Sequence, residues 1–365
     1  MLREESFMKT AIELARQGIG QTSPNPAVGA VVVKDGKVAG VGAHLRAGEH
    51  HAEVHAIRMA GEKAKGADIY VTLEPCSHHG KTPPCAELII ESGIKRVIIA
   101  SLDPNPLVGG GGLARLRDAG IAVETGVLEK EAAELNRFFF YYIKTGLPFI
   151  TLKAASTLDG KTAAENGDSK WITGEAARED VHKYREVHDA ILVGVNTVIH
   201  DNPSLTCRLK NPKKQPIRIV LDRNLRTPLH AKVATDKEAE TWIVASQTAD
   251  KVRAAAFVER GVKIIFTDPE ASLKHTLIEL GKRGITSVFA EGGSEVHGSF
   301  IKEGLLNEMI LYLAPKLLGG RKSLPISGGP GFNWMREAKE LEFKETSVIG
   351  NDLKITAVLR GKEGT

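Results

Sequence analysis

The chain reads "HAEVHAIRMAGEKAKGADIYVTLEPCSHHGKTPPC" from His51 to Cys85. Residues 51–61 have the apolar spacing of a short amphipathic helix, and residues 68–73, "DIYVTL", form the apolar run of a buried strand. Cys76 follows that strand, and Cys85 opens the next helix, "CAELIIESG". The stretch therefore predicts a helix–strand–helix unit with ionisable groups at the ends of its elements.

The alternation of helices and strands extends to both sides of this stretch. "AVGAVVV" and "VAGVGAH" flank Asp35-Gly36, which is a strong hairpin signal. The strands "RVIIAS" and "IAVET" follow, and "EKEAAELNRFFFYYIKTG" predicts one closing helix that ends at Gly146. We expect a mostly parallel sheet with helices on both faces, in a first domain of residues 1–146.

The remainder of the chain, residues 147–365, again has apolar strands with helices between several of them. Its strand segments read "PFITLKAAS", "AILVGV", "PIRIVLD", "TWIVAS", "VKIIFT", "SVFAEGG" and "MILYLA". The last apolar segment, "LKITAVL", could pair antiparallel. Because 365 residues exceed the usual size of one hydrophobic core, the prediction is an α/β protein of two tandem domains.

The composition narrows the setting in which the protein works. A net charge of +4 is small and suits anionic small molecules as readily as nucleic acid. Three cysteines do not form a secreted disulfide framework, and the first helical segment, "EESFMKTAIELARQG", lacks the apolar run of a signal peptide. No run has the length of a membrane span. We expect a cytoplasmic protein that acts on a small molecule, without nucleic-acid or membrane partners.

The first domain carries the donor set of a zinc site. Histidine nitrogen and cysteine sulfur are preferred zinc ligands, and a catalytic site combines three protein ligands with water. His51, Cys76 and Cys85 supply three ligands. Glu53 is then free to take a proton from the attacking water and to deliver it to a leaving amine. This order, H-x-E followed by P-C and a second Cys, is that of the zinc-dependent nucleobase deaminases, although eight residues separate the cysteines here instead of two.

Simpler interpretations of these residues stay open at this point. A histidine at a helix start is often a cap or a solvated residue, and a glutamate in the first turn suits the helix dipole. His55 lies one turn after His51, but "HAEVH" is not the metalloprotease order. His50, His78 and His79 are weaker competing ligands, and Cys207 is interpreted as a packed thiol.

The second domain offers separate features instead of one motif. "EGGSEVHGSF" follows a strand, so its glycines and the helix after them could hold a phosphate, although such a turn is also common for steric reasons. Arg185 and Arg208 suit a sugar phosphate but could be solvated, and Trp171 could stack on a ring or fill the core. The run "GGGG" at 109–112 is interpreted either as a phosphate cradle or as a flexible loop. Asp159 and Asp168 could each serve only a turn.

The complete set of motifs resembles one family, the bifunctional riboflavin-biosynthesis deaminase/reductases. The motifs in the first domain are "SPNPAVGAVVV", "GAHLRAGEHHAEVHA", "TLEPCSHHGKTPPCAELII" and "DPNPLVGGGG". Those in the second are "KAASTLDGKTA", "GDSKWITG", "ILVGVNTVIHDNPSLTCR" and "EGGSEVHGSF". The eight-residue separation of the cysteines is this family's own.

The resemblance implies two consecutive reactions. A cytidine-deaminase-like domain with three α/β/α layers would deaminate 2,5-diamino-6-ribosylamino-4(3H)-pyrimidinone 5′-phosphate with zinc. A dihydrofolate-reductase-like α/β domain would then reduce the ribosyl side chain to ribityl with NADPH, giving 5-amino-6-ribitylaminouracil 5′-phosphate. The choice of NADPH over NADH comes from the resemblance alone. A homo-oligomer assembled through the strands of the second domain is also expected.

The resemblance assigns these roles to residues of this chain. Zinc is assigned to His51, Cys76 and Cys85, and proton transfer to Glu53. Contacts with the deaminase substrate are assigned to Asn25, His44, His78 and Lys81. Contacts with NADPH are assigned to Ala155, Trp171, Thr197, Asp201, Gly293, Ser294, Glu295, Val296, His297, Gly298 and Ser299. Contacts with the reductase substrate are assigned to Ser169, Arg185, Leu205, Arg208 and Glu291. Lys153 and Asp201 are candidates for assisting ribose opening or proton delivery, and Lys153 is taken as the catalytic one.

Two other functions compete with this interpretation. One is a tRNA or free-nucleoside deaminase with an unrelated tail, which the long cysteine loop and the lack of a basic stripe disfavour. The other is a nucleotide-binding regulator with a structural zinc. A closed structural site normally has four protein ligands, whereas three are well placed here.

Overall fold

The computed structural model describes residues 3–77, 83–105 and 109–361, and the chain divides into two units after Gly146. The helices and strands of the first unit are α1 (Arg3–Arg16), β1 (Gly29–Lys34), β2 (Lys37–Ala43), α2 (Ala52–Ala60), β3 (Asp68–Leu73), α3 (Cys85–Glu91), β4 (Arg96–Ser101), α4 (Gly111–Asp118), β5 (Ala122–Thr125), α5 (Glu129–Leu135) and α6 (Arg137–Thr145). A short 3₁₀ helix, Gly61–Ala64, follows α2 directly.

The first sheet has the strand order β2-β1-β3-β4-β5. β1 is antiparallel to both β2 and β3, whereas β3, β4 and β5 run parallel. The expectation of a mostly parallel sheet is therefore wrong for this unit, since half of the neighbouring pairs are antiparallel. The tight turn at Asp35 (φ 49°) and Gly36 (φ 70°) reverses the chain between β1 and β2, because a left-handed pair of this kind is the favoured two-residue hairpin turn.

Helices cover both faces of this sheet, as expected. Successive side chains of a strand point to opposite faces, so Ile69 and Val71 pack with α2, α3 and α4 while Tyr70 packs with α1 and α5. The glycines of β2 allow α2 to lie directly on the sheet: a Cβ on Gly42 would be 2.1 Å from the Ala52 carbonyl oxygen. This close packing fixes the helix that begins at the candidate zinc site.

The predicted single closing helix is wrong: the structure has two helices, α5 and α6, with a break at Asn136. The Asn136 side chain is buried and pairs with the backbone of Ala27, accepting from its N–H at 2.8 Å and donating to its carbonyl at 2.9 Å. Asn136 leaves the helical conformation (φ −107°, ψ 21°). The tertiary contact with Ala27 accompanies a break that a local pattern does not reveal.

The second unit contains most of the strands. Its helices and strands are β6 (Phe149–Thr157), β7 (Lys161–Ala163), α7 (Glu175–Val187), β8 (Ala190–Gly194), α8 (Val195–Asp201), β9 (Ile217–Leu221), α9 (Lys232–Thr235), β10 (Thr241–Ser246), α10 (Lys251–Val258), β11 (Lys263–Thr267), α11 (Leu273–Gly281), β12 (Ser287–Gly292), α12 (Ser294–Lys302), β13 (Glu308–Ala314), β14 (Leu324–Pro325), β15 (Leu341–Ile349) and β16 (Asp352–Leu359). A 3₁₀ helix spans Met335–Glu337. None of the helices in the described ranges combines the length and apolarity needed to cross a membrane.

The main sheet of this unit has nine strands in the order β11-β10-β9-β8-β12-β6-β13-β16-β15. The strands from β11 to β13 are parallel, and β16 returns antiparallel to β13, as predicted for "LKITAVL". β15 was not predicted, because its sequence is charged and most of its side chains are exposed at the sheet edge. The neighbouring strands β8, β12 and β6 present their carboxyl ends at one edge, where ligands of parallel α/β sheets commonly bind.

Candidate active sites

His51, Cys76 and Cys85 come together at the ends of three elements of the first unit. His51 directly precedes α2, Cys76 follows β3, and Cys85 is the first residue of α3. The His51 Nδ1 atom lies 3.3 Å from Cys85 Sγ and 3.7 Å from Cys76 Sγ, and all three ligand atoms lie within 4.8 Å of one another. Zinc bonds of about 2.0–2.3 Å in a tetrahedron separate ligand atoms by roughly 3.6 Å. The donor set and its spacing therefore fit a zinc ion.

The Cys76 thiol is arranged to carry negative charge, whereas the hydrogen bond with Cys76 and burial raise the pKa of Cys85. A hydrogen bond from Cys85 lowers the pKa of Cys76 to about 4, and the Cys85 backbone N–H also donates to Cys76 Sγ, at 3.3 Å. The bond to Cys76 in turn raises the pKa of His51. A thiolate at a helix N-terminus, beside an imidazole, is the setting that favours a bound cation.

Glu53 is the carboxylate of this site. Its side chain is 3% exposed, and its Oε2 atom has no hydrogen-bond partner among the described residues. Burial raises the pKa of Glu53 to about 7, and the negative charge of Cys76 adds to this effect. A carboxyl group that titrates near neutral pH can both take and give a proton, which is what an acid–base catalyst requires.

The other histidines around α2 separate into two pairs. The His44 ring contacts His51 edge-on with 5.3 Å between centroids, and its Nδ1 lies 3.1 Å from the His50 carbonyl oxygen. His44 is buried, which lowers its pKa, and its Nε2 has no partner within the part of the chain that the structure describes. His55 instead contacts His50, at 5.9 Å, and neither belongs to the His–Cys–Cys group. The structure thus places His44 beside the cluster and does not support His50 or His55 as ligands.

The remaining deaminase residues assigned by the resemblance are less defined by the structure. Asn25 lies in an exposed turn after Pro24, where its N–H donates to the Thr22 carbonyl at 2.8 Å. His78 and Lys81 lie outside the described residues, as does the competing ligand His79.

Glu74 lies in the quoted stretch "TLEPCSHHGKTPPCAELII", two residues before Cys76, but no role was assigned to it from the sequence. Its carboxylate is buried and accepts from the N–H groups of Gly110 and Gly112 at 3.0 Å and of Leu113 at 3.3 Å. A Cβ on Gly112 would lie 2.1 Å from the Pro75 carbonyl oxygen. Neither interpretation of "GGGG" holds as stated: a carboxylate of the protein occupies these N–H groups, and one glycine is required for packing. A glutamate directly after a buried strand is the only sequence signal for this role.

The second site forms around a buried ion pair at the carboxyl ends of the parallel strands. Arg185 Nε lies 2.6 Å from Glu291 Oε1, Nη2 lies 2.8 Å from Oε2, and Nη1 donates to the Thr206 carbonyl at 2.8 Å. Lys153 lies on the neighbouring strand β6. It directly follows Leu152, which pairs with Ala290 of β12. Burial lowers the pKa of Lys153, while Glu291 acts in the opposite direction. An ammonium group with a lowered pKa is suited to donating a proton.

Leu205 and Arg208 lie on the same segment as Thr206, whose carbonyl oxygen binds Arg185 of this ion pair. Leu205 is buried with a φ of 54°, whereas the Arg208 side chain is exposed. The Arg208 N–H donates to His182 Nδ1 at 3.2 Å. The segment is therefore tied to α7 through both Arg185 and His182.

The segment assigned to NADPH lies at the start of α12 and against the loop after β14. A Cβ on Gly298 would be 2.1 Å from the Gly328 carbonyl oxygen, so the two backbones are in direct contact. The His297 Nδ1 lies 2.9 Å from the Ile326 carbonyl, and its Nε2 is buried without a partner among the described residues. Thr197 lies on α8, the helix that follows β8. A Cβ placed on Gly292 would be 3.1 Å from Thr197 Oγ1. The structure thus brings Thr197 to the turn that opens α12.

Other assigned residues are spread around this edge of the sheet. Ala155 is half-buried on β6, Ser169 is half-buried before α7, and Asp201 is exposed at the end of α8. Trp171 is 65% exposed with the Arg178 guanidinium 4.5 Å from its ring centroid, so the interpretation of Trp171 as a core residue is wrong. Asp159 serves a turn, since it accepts from Thr157 Oγ1 at 2.6 Å and from two backbone N–H groups.

Comparison with known proteins covers the whole chain. The family model described as cytidine and deoxycytidylate deaminase zinc-binding region matches residues 1–101. The family model described as RibD C-terminal domain matches residues 148–355. The riboflavin biosynthesis protein RibD of Bacillus amyloliquefaciens is 54% identical over 99% of this chain and 98% of its own length. The RibD of Escherichia coli (strain K12) is 43% identical over 96% of this chain and 98% of its own.

Solved structures give the same result. Acinetobacter baumannii RibD, form 2, superposes with a TM-score of 0.89 at 40% identity, covering 98% of this chain and 99% of that one. The diaminohydroxyphosphoribosylaminopyrimidine deaminase/5-amino-6-(5-phosphoribosylamino)uracil reductase of Thermotoga maritima has a TM-score of 0.87 at 39% identity, with coverages of 98% and 99%.

These matches confirm the predicted fold class, a deaminase-like α/β unit followed by a reductase unit. They also confirm an enzyme of riboflavin biosynthesis and the prediction of zinc, for which the first unit supplies the His–Cys–Cys donor set. An unrelated tail and a regulatory protein are both excluded, because relatives match the chain over nearly its full length. The chain belongs to the family of bifunctional RibD riboflavin-biosynthesis proteins.

Proposed function

We propose that the first unit deaminates 2,5-diamino-6-ribosylamino-4(3H)-pyrimidinone 5′-phosphate, with His51, Cys76 and Cys85 as zinc ligands and Glu53 as the proton-transfer group. The observation that carries this proposal is the buried Glu53 carboxylate, whose Oε2 has no hydrogen-bond partner among the described residues, beside a three-ligand His–Cys–Cys cluster. Zinc, when bound, supplies a water of lowered pKa as the nucleophile.

The proposed domains are residues 1–146 and 147–365, which is supported by the division of the chain into two compact units after Gly146.

Glu53 carries the protons of this reaction. Its carboxylate takes one proton from the attacking water and passes it to the amino group at C2, so that ammonia leaves. The second proton of the water moves to the adjacent ring nitrogen as the C2 carbonyl forms. A pKa near 7 makes both transfers feasible at neutral pH. Asn25, His44, His78 and Lys81 contact the substrate, and the position of His44 against the His51 ring supports its part in this set.

The second unit reduces the product of the first. NADPH supplies the hydride that is added to C1′ of the ribosyl group as its ring opens. Lys153 gives a proton to the ring oxygen released from C1′, and its lowered pKa supports this role. Ser169, Arg185, Leu205, Arg208 and Glu291 contact the substrate. NADPH is held by Ala155, Trp171, Thr197, Asp201 and the segment Gly293, Ser294, Glu295, Val296, His297, Gly298 and Ser299.

The enzyme acts on a small molecule, not on nucleic acid or a membrane. Its three free cysteines suit the reducing cytoplasm. Assembly into a homo-oligomer is supported by the edge strand β15, where Phe343 and Val348 are more than 70% exposed.

The test uses purified, zinc-replete protein with the diaminopyrimidinone ribose phosphate and NADPH. We expect ammonia to appear first and the nicotinamide absorbance to fall afterwards. Glu53→Gln should lower ammonia release by about 10²–10⁴-fold, whereas the matched control His55→Gln, on an exposed position of the same helix, should leave it unchanged. Ammonia release that survives Glu53→Gln would overturn the assignment.

A further inference from the structure

We infer that His182 is a positioning residue of the reductase step, whose imidazole fixes the backbone at Arg208 and thereby places the Arg208 side chain. The inference rests on the proposed function, in which Leu205 and Arg208 contact the substrate. His182 acts through Arg208 and not by touching the ligand.

His182 contacts two successive residues of the segment. Its Nδ1 accepts the Arg208 N–H at 3.2 Å. Its own carbonyl oxygen accepts from Cys207 Sγ at 3.3 Å. The Thr206 carbonyl is held from the same helix by Arg185 Nη1, at 2.8 Å. Because His182 lies on α7 and is 8% exposed, its contacts attach residues 207 and 208 to that helix.

The segment needs such support because of its conformation. Leu205 has a φ of 54°, in the left-handed region that a residue with a large side chain rarely adopts. Its side chain is 3% exposed and packs in the cluster with Val198 and Val220, so the backbone cannot relax without exposing it. A conformation of this kind persists only where its surroundings hold it. The Ser204 carbonyl is held by Arg218 Nη1 at 3.1 Å on one side, and His182 holds Arg208 on the other.

The electrostatic surroundings keep the His182 ring neutral, which is the form that can accept the Arg208 N–H. Only a neutral ring has a lone pair at Nδ1 for the Arg208 N–H. Burial lowers the pKa of His182 to about 4, and the positive charges of Arg185 and Arg208 contribute in the same direction, while Glu291 opposes them. The ring is therefore neutral throughout the range in which the enzyme would be assayed.

The experiment measures the KM of the reductase step for the deaminated pyrimidine phosphate, supplied directly. His182→Leu removes the acceptor, and we expect KM to rise about tenfold, the effect of one lost buried hydrogen bond. The KM for NADPH should stay within about twofold. Ammonia release by the first unit of the same protein should be unchanged, which provides an internal control for concentration and folding.

Four further variants separate positioning from a merely structural role. His182→Asn places an oxygen acceptor near the Nδ1 position and should restore KM, whereas His182→Gln, with its acceptor displaced, should not. In an Arg208→Ala background, His182→Leu should add nothing to the KM, because His182 acts through Arg208. If His182→Leu does not fold, the comparison of Asn with Gln decides the question.

The ways in which the experiment could fail are distinguishable. An Arg208→Ala variant with unchanged KM would contradict the proposed substrate role of this segment. A raised KM for Arg208→Ala together with an unchanged KM for His182→Leu would overturn the inference alone. The inference would also be overturned if His182→Leu lowered thermal stability and kcat without changing KM, or if its effect added fully to that of Arg208→Ala.

Discussion

Arg185 on α7 and Glu291 on β12 form a two-point ion pair, with Nε 2.6 Å from Oε1 and Nη2 2.8 Å from Oε2. Their side chains are only 11% and 9% exposed. Burial raises the pKa of Glu291, but the Arg185 charge and its hydrogen bonds more than offset this, so the carboxyl stays ionised. Each charge of the pair is therefore tolerated only because the other is present.

We expect Glu291→Gln to destabilise the second unit by about 3–5 kcal/mol, because it leaves the Arg185 charge buried without a partner. The double variant Arg185→Met with Glu291→Leu should recover most of that loss and still fail to oxidise NADPH. Urea unfolding followed by tryptophan fluorescence measures this unit alone, since Trp171, Trp242 and Trp334 all lie in it. A double variant no more stable than Glu291→Gln would contradict the argument.

Glu53→Gln should lower the rate of ammonia release by about 10²–10⁴-fold, because the amide cannot accept and return a proton. The side chain keeps its size, so bound zinc, measured by atomic absorption, should remain at one ion per chain. NADPH oxidation with the deaminated pyrimidine should be unaffected in the same protein. Loss of zinc from this variant would instead indicate that Glu53 supports the ligands.

Apolar patterns predicted most of the helices and strands, because each such pattern depends only on residues that are close together in the sequence. The buried runs "DIYVTL" and "TWIVAS" became β3 and β10. The break at Asn136 was missed because it depends on Ala27, 109 residues earlier. β15 was missed because a charged edge strand is recognised by its partner and not by its own composition.

The candidate sites were predictable to different extents for the same reason. The His51, Glu53 and cysteine pattern places its groups at the ends of helices and strands, so the donor types and their order in the sequence suggested the zinc cluster. Arg185 and Glu291 were each singled out, but their pairing joins residues 106 apart and could not be derived from either. Glu74 lies within a quoted motif but was given no role, and His182 lies in no motif. The roles of both depend on N–H groups that only the folded chain brings to them.

Gly112→Ala tests the packing beneath the zinc cluster. The new Cβ would lie 2.1 Å from the Pro75 carbonyl oxygen, and the backbone that must move leads directly to Cys76. We expect the variant to lose zinc to a chelator faster than the wild type and to lose stability by at least about 1–3 kcal/mol. Gly111→Ala is the matched control, because its Cβ meets only the Ser77 side chain, with the rotatable hydroxyl at 2.7 Å and the Ser77 Cβ at an ordinary 3.5 Å. Equal zinc loss in both variants would contradict this account.

The stability of the second unit should fall as the solution is acidified below the ordinary histidine pKa. Burial lowers the pKa of both His182 and His297 to about 4. Above pH 6.5 these rings are neutral in both states, whereas between pH 6.5 and 4 the unfolded chain binds protons that the folded chain does not. Each ring then removes at most about 1.4 kcal/mol of unfolding free energy per pH unit. Urea titrations at pH 7, 6 and 5 should show a shallower decline for His182→Asn than for the wild type, and parallel declines would mean that His182 is protonated in the folded state.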